Sequence, residues 1–402
     1  MWALTKNPSS KILSTSHFFS KLGEFAFETG FAVAIVMLTN ADILLIGLVY
    51  CCRYLPCVLF SPIGGWLADN YQRKTTLAVA ELSKSATALT LFLAFEHANA
   101  NILFIILASM LMTAADCLHT PTFRAYFPSI VSNEELPAIN SALQVIEDIA
   151  SIAGPLLFSA IAVFLSASYA FVFFAITLLI SALCILTLQP LPKTGKSSFR
   201  LLSILKDASS NVGKLRIANR PLFAVIFCTT LCAMFATSVV RFILPAALLE
   251  HYQSEVVVGY VFSLLALGTV LGGLLYVKFN KTTTARSAII YWAMYGTLFL
   301  LAAIALPVNP YVFLGLLLCV GFIGAFVDIA IITNIQCLSP PEDIGKNFSL
   351  YYFTAVFGDA ISGLVAGLMF LIAGPATFIA MTLMLSIAPL SFAIKKDNIG
   401  EK

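Results

Sequence analysis

Apolar stretches long enough to cross a lipid bilayer make up most of this chain of 402 residues. A helix needs about 20 apolar residues to span the hydrocarbon core, and such stretches follow one another along the whole sequence. Hydrophobic residues account for 60% of the chain, charged residues for only 11%, and the mean hydropathy is +0.95. A water-soluble core cannot bury so much apolar surface, since soluble domains carry about 25% charged residues. The sequence therefore predicts an all-α polytopic membrane protein.

Counting stretches of this length predicts twelve transmembrane helices. The first six predicted spans are 14–39, 43–68, 75–95, 102–122, 138–164 and 168–188, and the last six are 221–249, 255–279, 285–306, 310–334, 347–371 and 374–394. A polar segment separates the two groups. The predicted domains are an N-terminal six-helix bundle (1–188), a cytoplasmic linker (189–220) and a C-terminal six-helix bundle (221–402). Within the linker we expect a short amphipathic helix near 199–212.

Lysine and arginine are confined to alternate loops, which predicts the orientation of the chain. Loops without either residue are 40–42, 96–101, 165–168, 250–255, 307–310 and 372–375. The other loops carry Arg73, Lys74, Arg124, Lys281, Arg286, Lys346 and the basic residues of the linker. Positive residues favour the cytoplasmic side. Both termini are therefore predicted to be cytoplasmic, in a multi-pass protein of the plasma membrane, the inner membrane if the source is bacterial.

Composition and missing motifs narrow the possible functions. A net charge of +3 gives no reason to expect a nucleic-acid partner. The sequence contains no Walker-type phosphate loop and no visible pairing of a nucleophile with a base, so we expect neither an enzyme nor a cofactor. The nine cysteines mostly lie in apolar runs and are expected to pack as small apolar residues rather than to bind metal or form disulfides. We expect a monomer in the bilayer that handles a small molecule.

Matching glycines at a constant offset indicate an internal repeat. Gly64-Gly65 and Gly272-Gly273 are 208 residues apart, and Gly154 and Gly363 are 209 apart. This offset, in a layout of six plus six spans, predicts two pseudo-symmetric bundles related by an axis along the membrane normal. Proteins with this plan bind a substrate near mid-membrane and expose it to each side in turn.

The stretch from Gly64 to Lys74 joins the second and third spans with two glycines, an acid and two cations. It resembles the loop motif between helices 2 and 3 of the major facilitator superfamily, G-x-x-x-D-R-x-G-R-R/K. The matching residues are Gly65, Asp69, Arg73 and Lys74. Asn70 and Gln72 stand where the motif has Arg and Gly. The resemblance implies a cytoplasmic gate at this loop.

Further stretches are similar to particular groups within that superfamily. Gly154-Pro155 in the fifth span resembles the Gly-Pro element of its antiporters, which is associated with bending of helix 5. The pattern that is similar to the drug-efflux branch with enterobactin and macrolide exporters comprises Pro121, Arg124, Pro128, Asn133, Glu135, Leu136 and Asn140. Gly23-Glu24 lies where that branch often has Gly-Asp. These resemblances imply secondary active, proton-coupled export of a siderophore-like or amphiphilic drug-like molecule.

Charged residues inside the predicted spans are the candidate site residues, because a charge at mid-span costs at least about 2.5–3.5 kcal/mol. Glu24 and Glu28 are four apart and share one helix face. Two carboxylates that close favour binding of a proton, so the predicted proton-coupling residues are Glu24, Glu28 and Asp359. Ion pairs of the two glutamates with Arg53 or Arg241 are the alternative. The predicted substrate-binding residues are Glu28, Arg53, Asp116, Arg241 and Asp328.

A second group of charges is predicted to gate the cytoplasmic side. Asp69 could bind the positive N-terminus of the helix that begins near Asn347, and Glu147 or Asp148 could pair with Arg73 or Arg124. The predicted gating residues are Gly65, Asp69, Arg73, Lys74, Arg124, Glu147, Asp148, Gly154 and Pro155. Glu81 and Lys84 are expected to satisfy each other as a structural pair. The histidines are expected to be interfacial or solvated, since they lie at or near span ends (His17, His97, His119 and His251).

Other functions fit the same sequence. Carboxylates supply the hard oxygen ligands that many metal ions prefer, so Glu24, Glu28, Asp116 and Asp328 could serve a metal-ion or small-metabolite transporter similar to the ferroportin-like members. A lysophospholipid flippase is a further alternative. A membrane receptor or scaffold that transports nothing is the alternative from a different functional class.

Overall fold

The computed structural model describes residues 7–38, 49–50, 52–97, 101–190, 201–253, 255–280 and 283–392, and within them it contains helices and no strand. The α-helices are α1 (Pro8–Leu38), α2 (Cys57–Asn70), α3 (Arg73–Glu96), α4 (Ile102–Tyr126), α5 (Leu136–Phe164), α6 (Tyr169–Leu186), α7 (Leu201–Ala218), α8 (Arg220–Ser238), α9 (Leu244–Tyr252), α10 (Glu255–Phe279), α11 (Ala285–Ala305), α12 (Pro310–Leu338), α13 (Ile344–Ala373) and α14 (Thr377–Ile387). A π-helical turn, Val239–Ile243, joins α8 to α9.

The described helices account for most of the predicted spans. In the part of the chain that the structure describes, nine helical segments are long and apolar enough to cross a membrane, and they correspond to the third to eleventh predicted spans. The first, second and twelfth predicted spans coincide with α1, α2 and α14, which do not meet the same criterion. Residues 43–48 of the second predicted span lie outside the described residues. The twelve-span count and the cytoplasmic termini therefore stay predictions.

The described residues form two compact units. The first unit contains those of 1–135, 146–209 and 340–353, and the second contains those of 136–145, 210–339 and 354–402. The first ten residues of α5 thus belong to the second unit, and the first ten residues of α13 belong to the first. The predicted division into bundles at the linker stays a prediction. The helix expected in that linker is present as α7.

Polar residues fix where several helices begin. The Asn101 side chain accepts a hydrogen bond from the Phe104 amide at 2.8 Å, which caps α4. Thr284 and Ser287 form a reciprocal capping box at the start of α11. These caps satisfy backbone N–H groups that have no partner within the helix. They mark the boundaries between polar loops and apolar spans.

Aromatic residues of α1 and α6 form much of the core of the first unit. The rings of Phe27 and Phe174 stack with centroids 4.7 Å apart, and Phe31 stacks on Phe27 at 5.3 Å. All three side chains are almost fully buried. The preceding turns of α1 carry polar and charged residues instead. This change along α1 positions the site described next.

Candidate functional site

A polar cavity of about 140 Å³ lies within the first unit. It is bounded by α1, α4, α5 and the beginning of α13. Its lining residues are His17, Ser20, Lys21, Glu24, Asp116, His119, Thr120, Phe123, Arg124, Glu147 and Tyr352. Charges of both signs therefore face the same space, with two aromatic side chains beside them. Such an arrangement can bind an ionic group and can exchange protons.

One wall of the cavity is backed by buried charges of α3. The Lys84 ammonium lies 2.9 Å from Asp116 Oδ1 and 3.8 Å from Glu81 Oε1. Glu81 is fully buried, and its Oε1 atom lies 2.9 Å from His119 Nε2 and accepts a hydrogen bond from Ser20 at 3.0 Å. Burying such groups is tolerated only when they are paired. The expectation that Glu81 and Lys84 satisfy each other is therefore only partly right, because each has a closer partner.

The cavity lining also contains a second set of paired charges. Glu147 of α5 accepts from Arg124 of α4 at 2.8 Å and lies 2.7 Å from His17 Nε2 of α1. Three helices are thus joined through one carboxylate. Glu147 therefore pairs with Arg124, whereas Arg73 donates to backbone carbonyls. Of the predicted gating pairs, the described contacts therefore include Arg124–Glu147.

The two histidines flank one phenyl ring. The ring of Phe123 is nearly parallel to that of His17, with centroids 4.5 Å apart and an angle of 15°. The ring of His119 is also nearly parallel to that of Phe123, with centroids 5.8 Å apart and an interplanar angle of 12°. His17 and His119 are only 3% and 8% exposed. The expectation that they are solvated or interfacial is wrong, since each lies against a carboxylate within the unit.

The two glutamates of α1 have separate partners. Glu24 lines the cavity and accepts from Lys21 at 2.9 Å through both oxygens. Glu28 is bonded by the guanidinium of Arg53 through both of its oxygens, with Arg53 Nη1 at 2.9 Å from Oε2. This ion pair is the alternative that the sequence leaves open. Arg53 also lies over the ring of Phe31 at 5.2 Å.

The remaining predicted site residues lie in the second unit. Arg241 Nη1 is 3.2 Å from both oxygens of Asp359, and the Arg241 side chain is 59% exposed. Asp328 is an exposed residue of α12. The structure therefore brings Glu24 and Asp116 to one cavity and pairs Glu28 with Arg53 in the same unit. It assigns Arg241, Asp328 and Asp359 to the other unit.

The predicted contact between Asp69 and the start of the eleventh span is present. The Asp69 carboxylate accepts hydrogen bonds from the Gly345 amide at 2.6 Å and from the Lys346 amide at 3.0 Å. These amides lie at the beginning of α13, where the helix dipole favours a negative charge. Asp69 itself is only 1% exposed. The carboxylate thus ties the end of α2 to the start of α13 within the first unit.

Glycine allows α2 to approach α13 this closely. A Cβ atom on Gly65 would lie 2.7 Å from Ser349 Cβ and 2.9 Å from the Gly345 carbonyl oxygen. One turn earlier, the Ser61 hydroxyl donates to the Ser349 carbonyl at 2.8 Å, and the Ser349 hydroxyl donates back to the Ser61 carbonyl. We call this contact between α2 and α13 the first seam.

Other predicted gating residues support the helix ends around this seam. Arg73 donates to the carbonyls of Ala68 and Ala125, each at 2.8 Å. Lys74 donates to the Leu188 carbonyl at 2.8 Å. Asp148 lies beside Glu147 in α5. These contacts position the loop between α2 and α3 against the ends of α4 and α6.

The Gly154-Pro155 element lies within α5, which continues through it. A Cβ atom on Gly154 would lie 2.8 Å from the Ala26 amide nitrogen and 2.5 Å from Phe25 Cβ. Glycine is therefore needed where α5 packs on α1. Proline at the next position removes one backbone donor from the helix.

Sequence reasoning missed much of the cavity wall. The residues that it treated as structural or interfacial, or did not single out, are His17, Lys21, Glu81, Lys84 and His119. The sequence of α3 did contain a signal for part of this wall. Glu81 and Lys84 lie within a predicted span, and charges in a span usually have partners on neighbouring helices. The histidines gave no such signal, because a histidine near a span end is compatible with solvent or with burial.

The sequence was compared with protein-family profiles and with curated proteins. The sequence profile described as "Major Facilitator Superfamily" matches residues 13–232 and 226–399. No match was found among curated proteins.

Solved structures share the fold at low sequence identity. The human organic anion transporter MFSD10 (TETRAN) has a TM-score of 0.77 at 13% identity, covering 95% of this chain and 98% of its own. A bacterial homologue of the iron transporter ferroportin in an outward-facing state has a TM-score of 0.75 at 16% identity, covering 95% and 98%. The fucose:proton symporter FucP of E. coli has a TM-score of 0.75 at 13% identity, covering 95% and 97%. Similarity at these identities establishes the fold alone.

Proposed function

The chain belongs to the Major Facilitator Superfamily, and from that premise we propose that it is a proton-coupled secondary active transporter that exports an amphiphilic, drug-like or siderophore-like molecule by alternating access. The observation that carries this proposal is the polar cavity of the first unit. Three carboxylates line it: Glu24 and Asp116 each accept a hydrogen bond from a lysine, and Glu147 accepts one from Arg124. Carboxylates that face a cavity inside a span are typical of proton and substrate pathways.

Proton coupling follows from the way these charges are balanced. Protonation of Asp116 would release Lys84, and protonation of Glu24 would release Lys21. Each event changes the charge that the cavity presents to a substrate. A proton and a substrate that alter the same ion pairs oppose or assist each other by linkage. Export against a gradient requires such a coupling.

The aromatic residues beside these charges support an amphiphilic substrate. Phe123 and Tyr352 line the cavity next to Asp116 and Arg124. A cavity of about 140 Å³ is smaller than the roughly 300–1,000 Å³ of most ligand sites. A drug-sized molecule therefore requires the cavity to widen during the cycle. Opening of the first seam, next to Tyr352 on α13, would widen it.

Neutral variants of the two α1 glutamates test whether the protein transports at all. Glu24→Gln and Glu28→Gln keep the size of each side chain and remove its charge. We expect either substitution to abolish substrate efflux from cells while the protein remains in the membrane. A receptor or scaffold would retain its phenotype in both variants, and that result would refute the transport proposal.

Metal transport is the second candidate function. The support for it is the fold shared with the ferroportin homologue and the three carboxylates that line one cavity. Among the described residues, no group of three or more His, Cys, Asp or Glu side chains is arranged to hold a metal ion. Titration of the purified protein with divalent ions tests it directly. Heat release with a rise in melting temperature would favour a metal substrate, whereas the absence of both would remove this candidate. A lysophospholipid substrate is tested by including lysophospholipids in the same thermal-shift screen.

A further inference from the structure

Behind the cavity, two carboxylates share one lysine: Lys84 lies within ion-pair distance of both Asp116 and Glu81. The Lys84 ammonium donates to Asp116 at 2.9 Å, and this pair is neutral. Glu81 then remains as a fully buried carboxylate whose nearest ionic neighbour is His119 Nε2 at 2.9 Å. Lys84 lies farther away, at 3.8 Å. One lysine cannot neutralise both Glu81 and Asp116, and a buried charge without a partner is disfavoured, so His119 is the group placed to neutralise Glu81 as an imidazolium.

The second histidine of the stack does not need to neutralise its carboxylate. Glu147 is bonded by Arg124 at 2.8 Å, and an arginine keeps its charge at any working pH. Lys21 on the same helix as His17 adds further positive charge near it. His17 therefore fits as the neutral imidazole that donates one N–H to Glu147. Two histidines on the same phenyl ring thus have different expected protonation states.

Glu81 also offers a vacant position for a cation. Its Oε1 atom receives the described contacts, from Ser20, His119 and, at 3.8 Å, Lys84. Among the described residues, the buried Oε2 atom of Glu81 has no hydrogen-bond partner. Lys84 lies one turn along α3 from Glu81, and the flexible lysine side chain needs to move only a short distance to donate to this carboxylate.

We propose that, in addition to the cavity carboxylates, His119 carries an exchangeable proton of the transport cycle, and that Lys84 couples this proton to the binding of a cation at Asp116. This inference rests on the proposed proton coupling and adds a substrate class, a small organic cation or the cationic group of a larger amphiphile. A cation that binds Asp116 from the cavity displaces Lys84. Lys84 then donates to Glu81 and neutralises it. His119 releases its proton to water in the cavity, so that one positive charge enters as another leaves.

The surroundings of His119 are consistent with this exchange. Charged groups reach it from α3 (Glu81 and Lys84) and from its own helix (Asp116). The other titratable or charged groups that line the cavity are Lys21, Glu24, Arg124, Glu147, His17 and Tyr352. His119 itself lines the cavity. A released proton therefore has a polar space to enter.

Nitrogen-15 NMR of labelled histidines tests the proposal in the whole protein. The chain has four histidines, and His97 and His251 are exposed and outside the cavity. A His97→Gln/His251→Gln background in lipid nanodiscs therefore leaves only the two signals of interest, and an added His17→Gln substitution assigns them. Near neutral pH we expect the doubly protonated signal for His119 and the neutral signal for His17. A neutral His119 would overturn the proposal.

Asp116→Asn tests the relay. This substitution frees Lys84 to neutralise Glu81, so we expect loss of the imidazolium signal of His119 with little change at His17. Glu147→Gln is the matched control, since it removes the other carboxylate of the stack and should leave the proton on His119. The Asp116 side chain is 26% exposed, so its substitution endangers folding less than that of buried Glu81. An imidazolium signal that persists in Asp116→Asn would overturn the relay.

Tetramethylammonium is the probe for cation exchange. At saturating concentration it should reproduce the loss of the His119 imidazolium signal seen with Asp116→Asn. An unchanged His119 signal would overturn the cation-exchange part of the proposal. These measurements read protonation without transport, so their failure is distinguishable from failure of the proposed function, which a transport assay with and without a proton gradient decides.

Discussion

Two glycine contacts, one in each unit, invite comparison because the sequence repeat relates them. In the first seam, Gly65 of α2 packs against Ser349 of α13. In the contact that we call the second seam, Gly273 of α10 packs against the beginning of α5, and the Ser141 hydroxyl donates to the Gly273 carbonyl. Ser141 and Ser349 are 208 residues apart, the same offset as the two glycines. The packing of small residues is therefore duplicated.

The neighbouring glycines extend the parallel. A Cβ atom on Gly64 would lie 2.0 Å from the Cys117 carbonyl oxygen of α4. A Cβ atom on Gly272 would lie 2.3 Å from the Phe322 carbonyl oxygen of α12. In each unit, a glycine pair lets one helix contact two neighbours closely. Glycines related by the offset of 208 residues thus make similar close contacts in the two units, whereas the two six-helix bundles stay a prediction.

The electrostatic contact, in contrast, belongs to the first seam alone among the described residues. Asp69 accepts from the amides of Gly345 and Lys346. The same offset places Val277 opposite Asp69 and Pro137 opposite Gly345. Proline has no N–H to donate, so the second seam lacks both the acid and one of its donors. Close glycine packing is therefore common to the two seams, whereas the contact of a carboxylate with backbone amides is specific to the first.

Substituting alanine for Gly65 or for Gly273 should give the largest difference in melting temperature between the two seams. In Gly65→Ala the new Cβ atom meets the backbone oxygen of Gly345 at 2.9 Å as well as Ser349, so helices must separate. Overpacking of this kind costs about 1–3 kcal/mol. In Gly273→Ala the closest atom is Val145 Cγ2 at 2.8 Å, which a rotation of that side chain can move. We expect a clear fall in melting temperature for Gly65→Ala and a small one for Gly273→Ala, and equal falls would break the comparison.

Removal of the acid should give the next largest effect. Asp69→Ala leaves two amides at the start of α13 without their acceptor, which costs about 1–3 kcal/mol. Val277→Ala, the matched change in the second seam, removes a side chain that is 45% exposed and should have a much smaller effect. Thermal unfolding in the same detergent measures both. A melting temperature for Asp69→Ala that matches wild type would show that the carboxylate stabilises nothing.

Accessibility of the seams tests whether the acid holds the first one closed. Cysteine at Ser349 or Ser141 reports exposure of each seam, since both serines are buried. In a background without native cysteines, we expect Asp69→Ala to increase maleimide labelling at Ser349→Cys several-fold and to leave labelling at Ser141→Cys unchanged. A parallel increase at both positions would indicate general loosening rather than opening of one seam.

The serine hydroxyls should show the smallest difference. Ser349→Ala removes the donor to the Ser61 carbonyl, and Ser141→Ala removes the donor to the Gly273 carbonyl. Each is one hydrogen bond, worth about 0.5–1.5 kcal/mol. We therefore expect similar, modest falls in melting temperature. A much larger effect at Ser349 would mean that the first seam depends on its serines more than on Asp69.

The sequence was most informative about features that depend on one helix and its immediate neighbours in the chain. Span length and apolarity predicted most helices, and the spacing of glycines predicted the repeat. The contact of Asp69 with the start of α13 was predicted from charge and the helix dipole alone. The pairing of Glu28 with Arg53 was one of two alternatives that the sequence left open. Each of these depends on local pattern and on the cost of burying charge.

The sequence did not predict contacts between side chains of different helices, because these depend on how the helices pack together. Lys84 pairs with Asp116 of another helix rather than mainly with Glu81, three residues away. His17 and His119 are buried against carboxylates of α5 and α3. Helical periodicity gives the face of a residue, but it does not give the neighbour of that face. The cavity therefore emerged only once the helices were placed.

Substrate movement in proteoliposomes with and without an imposed pH gradient tests the central claim most directly. The substrate is the compound that most stabilises the purified protein in a thermal-shift screen of siderophores, amphiphilic drugs, lysophospholipids and divalent metals. Proton-coupled export predicts accumulation that requires the gradient, collapses with a protonophore and is lost in Asp116→Asn. Accumulation that proceeds equally well without a proton gradient would contradict the account.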